Sequence, residues 1–214
     1  MWVLTIDQRG SRRVGDRVPE LLETLGALAH GPGDDERADG VVRPFERTVG
    51  DEVQGLLSDP RVAVDLALRV VRAGGWSVGI GCGAVVRPLP DSTRAGSGAA
   101  FVLAREAVEA AKSRARSVPL AVRGADPSAA ADAEGVLVLI AATTARRTAA
   151  GWAAVDAAEG GADAPRQDEL AARLGITQQA VSQRLRTALW AEERAARPAA
   201  ARLLALAAAS PRPA

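Results

Sequence analysis

FERTVGDEVQGLL, residues 45–57, decides how the first half of the chain is read. Phe45 and Thr48 lead in, and Val53, Leu56 and Leu57 lead out, with Gly50, Asp51 and Glu52 between them. Gly50-Asp51 suits a tight two-residue turn, because glycine takes the positive φ such turns require. The pattern predicts a hairpin of strands 41–49 and 52–57 with two carboxylates at its tip. Carboxylates so placed are either simply solvated or matched by something cationic.

Upstream, WVLTID (2–7) is an apolar run ending in an acid and reads as a buried strand. DRVPELLETLGALA (16–29) spaces Val18, Leu21, Leu22, Leu25 and Leu28 helically. GPGDDERADG (31–40) reads as a polar loop, and His30 before it as a partner for a helix C-terminus. Downstream, DPRVAVDLALRVVRAGG (59–75) is a helix capped by Asp59, opened by Pro60 and ended by Gly74-Gly75. WSVGIGCGAVVRPL (76–89) is a strand whose alternate glycines, Gly79, Gly81 and Gly83, leave one face bare for a close approach by backbone or ligand. A helix over 99–115, a strand over 118–124, a long helix over 130–158 and a linker over 159–165 complete this part. The order β α β β α β α β α predicts an α/β (α+β) sandwich on an antiparallel, ferredoxin-like sheet. The expected division is a domain over 1–158 and a small all-α unit over 159–214.

Apolar residues make up 48% of the 214, enough for a core, but aromatics are only 3%, so Ala, Val and Leu must fill it. Lys112 is the one lysine in a chain rich in Arg, Ala and Gly, a bias that reads as GC-rich coding. The net charge is +1, which excludes a polycation, yet residues 161–214 hold 8 Arg against 5 acids, net +3, leaving −2 for the remainder. One cysteine, Cys82, and one histidine exclude an internal disulfide or a zinc site built on those residues. No signal peptide or membrane span is expected, and the cytoplasm is the default compartment.

RQDELAARLGITQQAVSQRLRTALW (166–190) is the most specific signal. Leu170, Leu174, Ile176, Val181 and Leu185 supply a small core, Gly175 a sharp turn, and Thr177 a cap for the second helix. That helix is expected to face inward through Val181, Leu185 and Leu189, and outward through Gln178, Gln179, Ser182, Gln183 and Arg186. This is a helix-turn-helix pattern, whose second helix enters the major groove. Glutamine can contact adenine in bidentate fashion, and Arg guanine or phosphate. The bland alternative is a helical hairpin with a solvated polar face. The segment resembles the helix-turn-helix of MarR-type regulators and of sigma-factor DNA-binding regions. The resemblance implies DNA as partner, with Thr177, Gln178, Gln179, Ser182, Gln183 and Arg186 at the interface. The tail (191–209) reads as a helix broken at Pro198, and a homodimer suits half-site recognition.

In the first domain, Asp7 at the end of strand one and Asp51 in the hairpin turn can converge, and convergent carboxylates call for a cation. These features, with RTVGDE (47–52), the Gly-rich strand and the helix after it, resemble the class III nucleotidyl cyclase core and the RxGGDEF signature of diguanylate cyclases. DQRGSR (7–12), TVGDEVQGLL (48–57), VGIGCG (78–83) and AAFVLAREA (99–107) are similar to the motifs of the SatD-like family. The resemblance implies Mg²⁺ or Mn²⁺ at Asp7 and Asp51, and a nucleotide held by Arg12, Arg47 and Arg105. It makes Arg47 a base-reading residue and Arg105 a phosphate-stabilising one, the two catalytic candidates. Phe101 stands where cyclases carry an Asn. Without the resemblance, Asp51 is a turn residue, Arg47 and Glu52 a surface pair, and Arg105 an ion-pair partner. The expected function is a DNA-binding transcriptional regulator with a nucleotide- or divalent-metal-sensing domain. The alternatives are a Mg-dependent nucleotidyl cyclase or transferase localised by its helix-turn-helix, and a protein–protein module.

Overall fold

The computed structural model describes residues 1–29, 40–159 and 166–209. His30, most of the loop expected over 31–40 and most of the linker expected over 159–165 lie outside the described residues. The elements are β1 (Trp2–Gln8), α1 (Ser11–Val14), α2 (Val18–Ala29), β2 (Val41–Arg47), β3 (Glu52–Leu57), α3 (Pro60–Ala73) and β4 (Trp76–Cys82). They continue with α4 (Ala99–Ala111), β5 (Leu120–Gly124), α5 (Pro127–Thr144), α6 (Ala149–Glu159), α7 (Gln167–Leu174), α8 (Gln178–Thr187) and α9 (Trp190–Ala207). The five strands lie in the order β2-β3-β1-β4-β5. The sheet is mixed where a wholly antiparallel one was expected. β4 and β5 run parallel because α4 carries the chain back between them, while the other three pairings are antiparallel.

Strand alternation sorts the side chains between two faces. Trp2, Leu4 and Ile6 of β1 join the large core with residues of α2, α3, α5 and α9. Val3 points the other way and packs with Ala100, Phe101 and Ala104 of α4. The bare face of β4 receives backbone: a Cβ on Gly79 would stand 2.6 Å from Ala104 O, and one on Gly81 2.8 Å from Ala104 Cα. Cys82 is buried in the core, and burial pushes its thiol up to about 12.

Several boundaries differ from expectation for identifiable reasons. β2 stops at Arg47, so the hairpin loop is four residues, closed by Thr48 N to Glu52 O (2.9 Å) and Glu52 N to Val49 O (3.0 Å), with Gly50 at φ 60°. The helix expected over 130–158 is two helices bent by 118°. The first starts earlier, at Pro127, where the Asp126 carboxylate accepts from Ala129 N. No single helix among the described residues is long and apolar enough to cross a membrane.

α9 packs across the expected domain division. It runs through Pro198 without breaking, and its Ala200, Ala201, Leu204 and Ala207 are buried in the large core. Trp2 Nε1 donates to Leu204 O at 3.0 Å, and Asp126 N to Ala207 O at 3.1 Å. Packing on both sides of Pro198 holds a helix that its missing N–H would otherwise weaken. Residues 190–207 therefore belong to the sheet unit, and α6, α7 and α8 form the satellite.

Candidate functional site

The satellite is built on a short sequence with strong local signals. Arg166 N donates to Glu169 Oε2 (3.2 Å) at the start of α7, and Gly175 ends that helix at φ 63°. Thr177 Oγ1 accepts from Ala180 N (3.2 Å) and starts α8. Leu170, Ala171 and Val181 are buried together with Ala157 of α6, flanked by Leu174, Ile176 and Leu185. The hairpin thus has a third helix, α6, packed behind it.

Thr177, Gln178, Gln179, Gln183 and Arg186 are exposed on α8. Gln183 Nε2 donates to Thr187 Oγ1 and Arg186 Nη1 to Gln183 Oε1, both at 3.5 Å, so these contacts stay within the helix. Ser182 is half-buried and its hydroxyl donates to Gln167 Oε1 (3.2 Å), which ties α8 to the start of α7. Leu189 is not on the inward face. It lies beyond α8, exposed and left-handed at φ 52°, and turns the chain into α9. α8 carries Arg184 and Arg186 and no acid.

The sheet unit separates the remaining candidates. In β1, Asp7 lies opposite Glu52 and Ser77, on the face covered by α4. Arg47 pairs with Val53, a residue of the opposite face, and forms a two-oxygen contact with Asp16 ahead of α2 (2.8 and 2.6 Å). The period of two in a strand therefore keeps Arg47 away from Asp7. Glu52 accepts from Thr48 Oγ1, and the carboxylate that meets Arg47 is that of Asp16. Arg12 on α1 and Arg105 on α4 are exposed, with no side-chain partner among the described residues. Arg47 thus lies on the face of the sheet opposite α4, which carries Arg105. Phe101 is buried against Val3 and Leu56 and fills core.

The cation near Asp7 is Lys112, whose Nζ stands 3.0 Å from Asp7 Oδ2 and 2.7 Å from Glu109 Oε1. Burial pushes the Asp7 carboxyl up; Lys112 opposes this, and Asp51 and Glu52 add repulsion. Lys112 is raised although burial works against it, because it has two carboxylate partners while Asp7 has one ammonium. Among the described residues no three of His, Cys, Asp or Glu are grouped to hold a metal. Lys112 thus places a positive charge beside Asp7, where the resemblance would place a Mg²⁺ or Mn²⁺ ion.

A carboxyl raised on folding holds its proton longer in the folded state, so its ionisation removes stability as pH rises above the ordinary Asp value of about 3.9. Asp7→Asn is therefore expected to leave stability at pH 7 unchanged or higher, and to flatten the acid side of the pH–stability curve. Urea unfolding from about pH 4 to 7 measures this; a loss above about 1 kcal/mol at pH 7 would mean the Lys112 contact outweighs burial.

Comparisons with known protein families, curated proteins and solved structures find no match for this chain.

Proposed function

We propose that this chain is a DNA-binding transcriptional regulator in which α8 reads the major groove and the sheet unit serves a regulatory role. The observation that carries the reading is the α7–Gly175–α8 hairpin, backed by α6, with its polar, acid-free helix exposed along Gln178, Gln179, Gln183 and Arg186. A polar face meant only for solubility has no need of consecutive amides at the start of a helix, where groove-reading side chains sit. Ser182 serves in this reading as a brace between the two helices.

We read the order β2-β3-β1-β4, with α2 and α3 on one face, as ferredoxin-like, a reading in keeping with the resemblance to cyclase-type domains. A nucleotide is the ligand class that resemblance suggests.

The test is fluorescence anisotropy with random-sequence and then selected duplexes over a salt series. Gln179→Ala is expected to weaken selected sites by about 1–3 kcal/mol and relax one base preference. Arg186→Ala should weaken all duplexes and lower the salt slope by about 1 if the side chain meets phosphate. No binding even at low salt would remove the reading. Unchanged DNA affinity on adding ATP or GTP would remove its regulatory part.

A further inference from the structure

α5 is apolar on nearly every side, and such a helix is ordinarily buried all round. Its inner side is: Ala133, Leu137, Ile140 and Ala141 pack in the large core. Its outer side is not. Leu139 is 68% exposed, and among the described residues a Cβ added at Gly135 would meet nothing within 4 Å. Helical spacing sets Asp132, Gly135, Val136, Leu139 and Thr143 in one stripe, which Arg146 continues just past the helix end. Asp132 and Arg146 are exposed and have no side-chain partner among the described residues. The neighbouring charges are spoken for: Glu134 takes Arg116 (2.7 Å) and Arg123 (3.1 Å) at the sheet edge.

The stripe is self-complementary about its middle. Asp132 and Arg146 stand equally far from Leu139, one on each side, as do Gly135 and Thr143. We propose that α5 is the dimer face of this protein and that its occupant is α5 of a second copy, antiparallel about a two-fold axis at Leu139. Each Asp132 then meets Arg146 of the other copy, the two Leu139 side chains meet on the axis, and Gly135 leaves room for Thr143 opposite. A two-fold interface requires this reciprocity: any residue that meets another must be met by it in return. It places the bends into α6 at opposite ends of the paired helices, about 21 Å apart by helical rise, with one α7–α8 unit beyond each. The inference holds whether or not α8 binds DNA.

A lone helix pair covers less than the roughly 800 Å² per partner of a standard interface, so a weak dimer is expected. Sedimentation of the full chain from about 5 to 200 μM reads it directly. The wild type should shift from monomer to dimer in that range. Leu139→Glu, Asp132→Arg and Arg146→Asp should each remain monomeric at the top concentration. The double variant Asp132→Arg with Arg146→Asp should dimerise again, since the swapped charges meet across the axis. All the altered side chains are exposed, and an unchanged melting temperature verifies that each variant folds. A wild type that stays monomeric overturns the proposal, as does a dimer that survives the single charge reversals or a double variant that fails to recover.

Discussion

Glu193→Ala is expected to lower the unfolding free energy by about 3–5 kcal/mol, the cost of removing one partner from a buried ion pair. Glu193 and Arg147 are 4% and 2% exposed, and Arg147 Nη2 lies 2.5 Å from Glu193 Oε2. They are in close ionic contact without hydrogen-bond alignment, and Arg147 Nη1 has no partner among the described residues. Arg147 Nε donates to Ala188 O (2.7 Å), and its guanidinium sits 4.7 Å from the centre of the Trp152 ring, whose nearer cation is Arg72 at 3.5 Å. Arg197 takes the other oxygen of Glu193 (2.5 Å) and reaches Asp65 of α3 (2.9 Å) and Glu159 of α6 (3.5 Å). Burial alone would lower Arg197, yet these carboxylates hold it above its ordinary value. Glu193 is the common anion where α9, α3 and the α5–α6 turn meet. Its loss leaves Arg147 buried without a counter-charge, whereas Glu193→Leu with Arg147→Met together should cost less than either change alone. Urea unfolding of the set measures this. A loss under about 1 kcal/mol for Glu193→Ala would show that water reaches the pair.

Gly81→Ala is the second large effect, expected at about 3 kcal/mol, the upper end for overpacking a core. The new methyl would overlap Ala100 O and Ala104 N, backbone atoms of α4 that cannot rotate away. The helix would have to lift from β4, taking Ala100, Phe101 and Ala104 off Val3 and Leu56. Gly26→Ala in α2 is the control. Among the described residues a Cβ there meets nothing within 4 Å, and removing a helical glycine should stabilise by up to about 1 kcal/mol. If Gly81→Ala unfolds at the same urea concentration as the wild type, α4 is not seated on β4 as described.

Some of the structure was legible residue by residue. Asp59-Pro60 and Gly74-Gly75 bound α3 as their cap chemistry predicts: the Asp59 carboxylate accepts from Arg61 N at 2.7 Å and Gly74 takes φ 70°. The bare glycine face of β4 announced a close approach, and helix backbone is what approaches. Asp126-Pro127 repeats the signal of Asp59-Pro60 and was available to place the start of α5. Gly175 and Thr177 marked the hairpin, whose polar outer face follows from the apolar spacing of its core.

The candidate site of the sheet unit was legible only as a list of residue types. Asp7 and Asp51 read as a pair awaiting a cation, but the cation is Lys112, supplied by α4 more than 100 residues later. Arg47 read as part of the same cluster, but strand register sends it to the opposite face and to Asp16. For Arg147 and Glu193, nothing local in the sequence separates a buried ion from a solvated one.

What the sequence by itself determined are the features set within a few residues: helix caps, the hairpin, strand alternation and the α7–α8 turn, where local hydrogen bonds and steric limits act without distant partners. Tertiary structure alone decided the parallel β4–β5 pairing, the return of α9 into the sheet core, the charge partners of Asp7 and Arg147, and the side of α5 left bare. Each of these depends on which distant surfaces bury one another, and burial then determines whether a charge is paired, solvated or free to meet a second molecule.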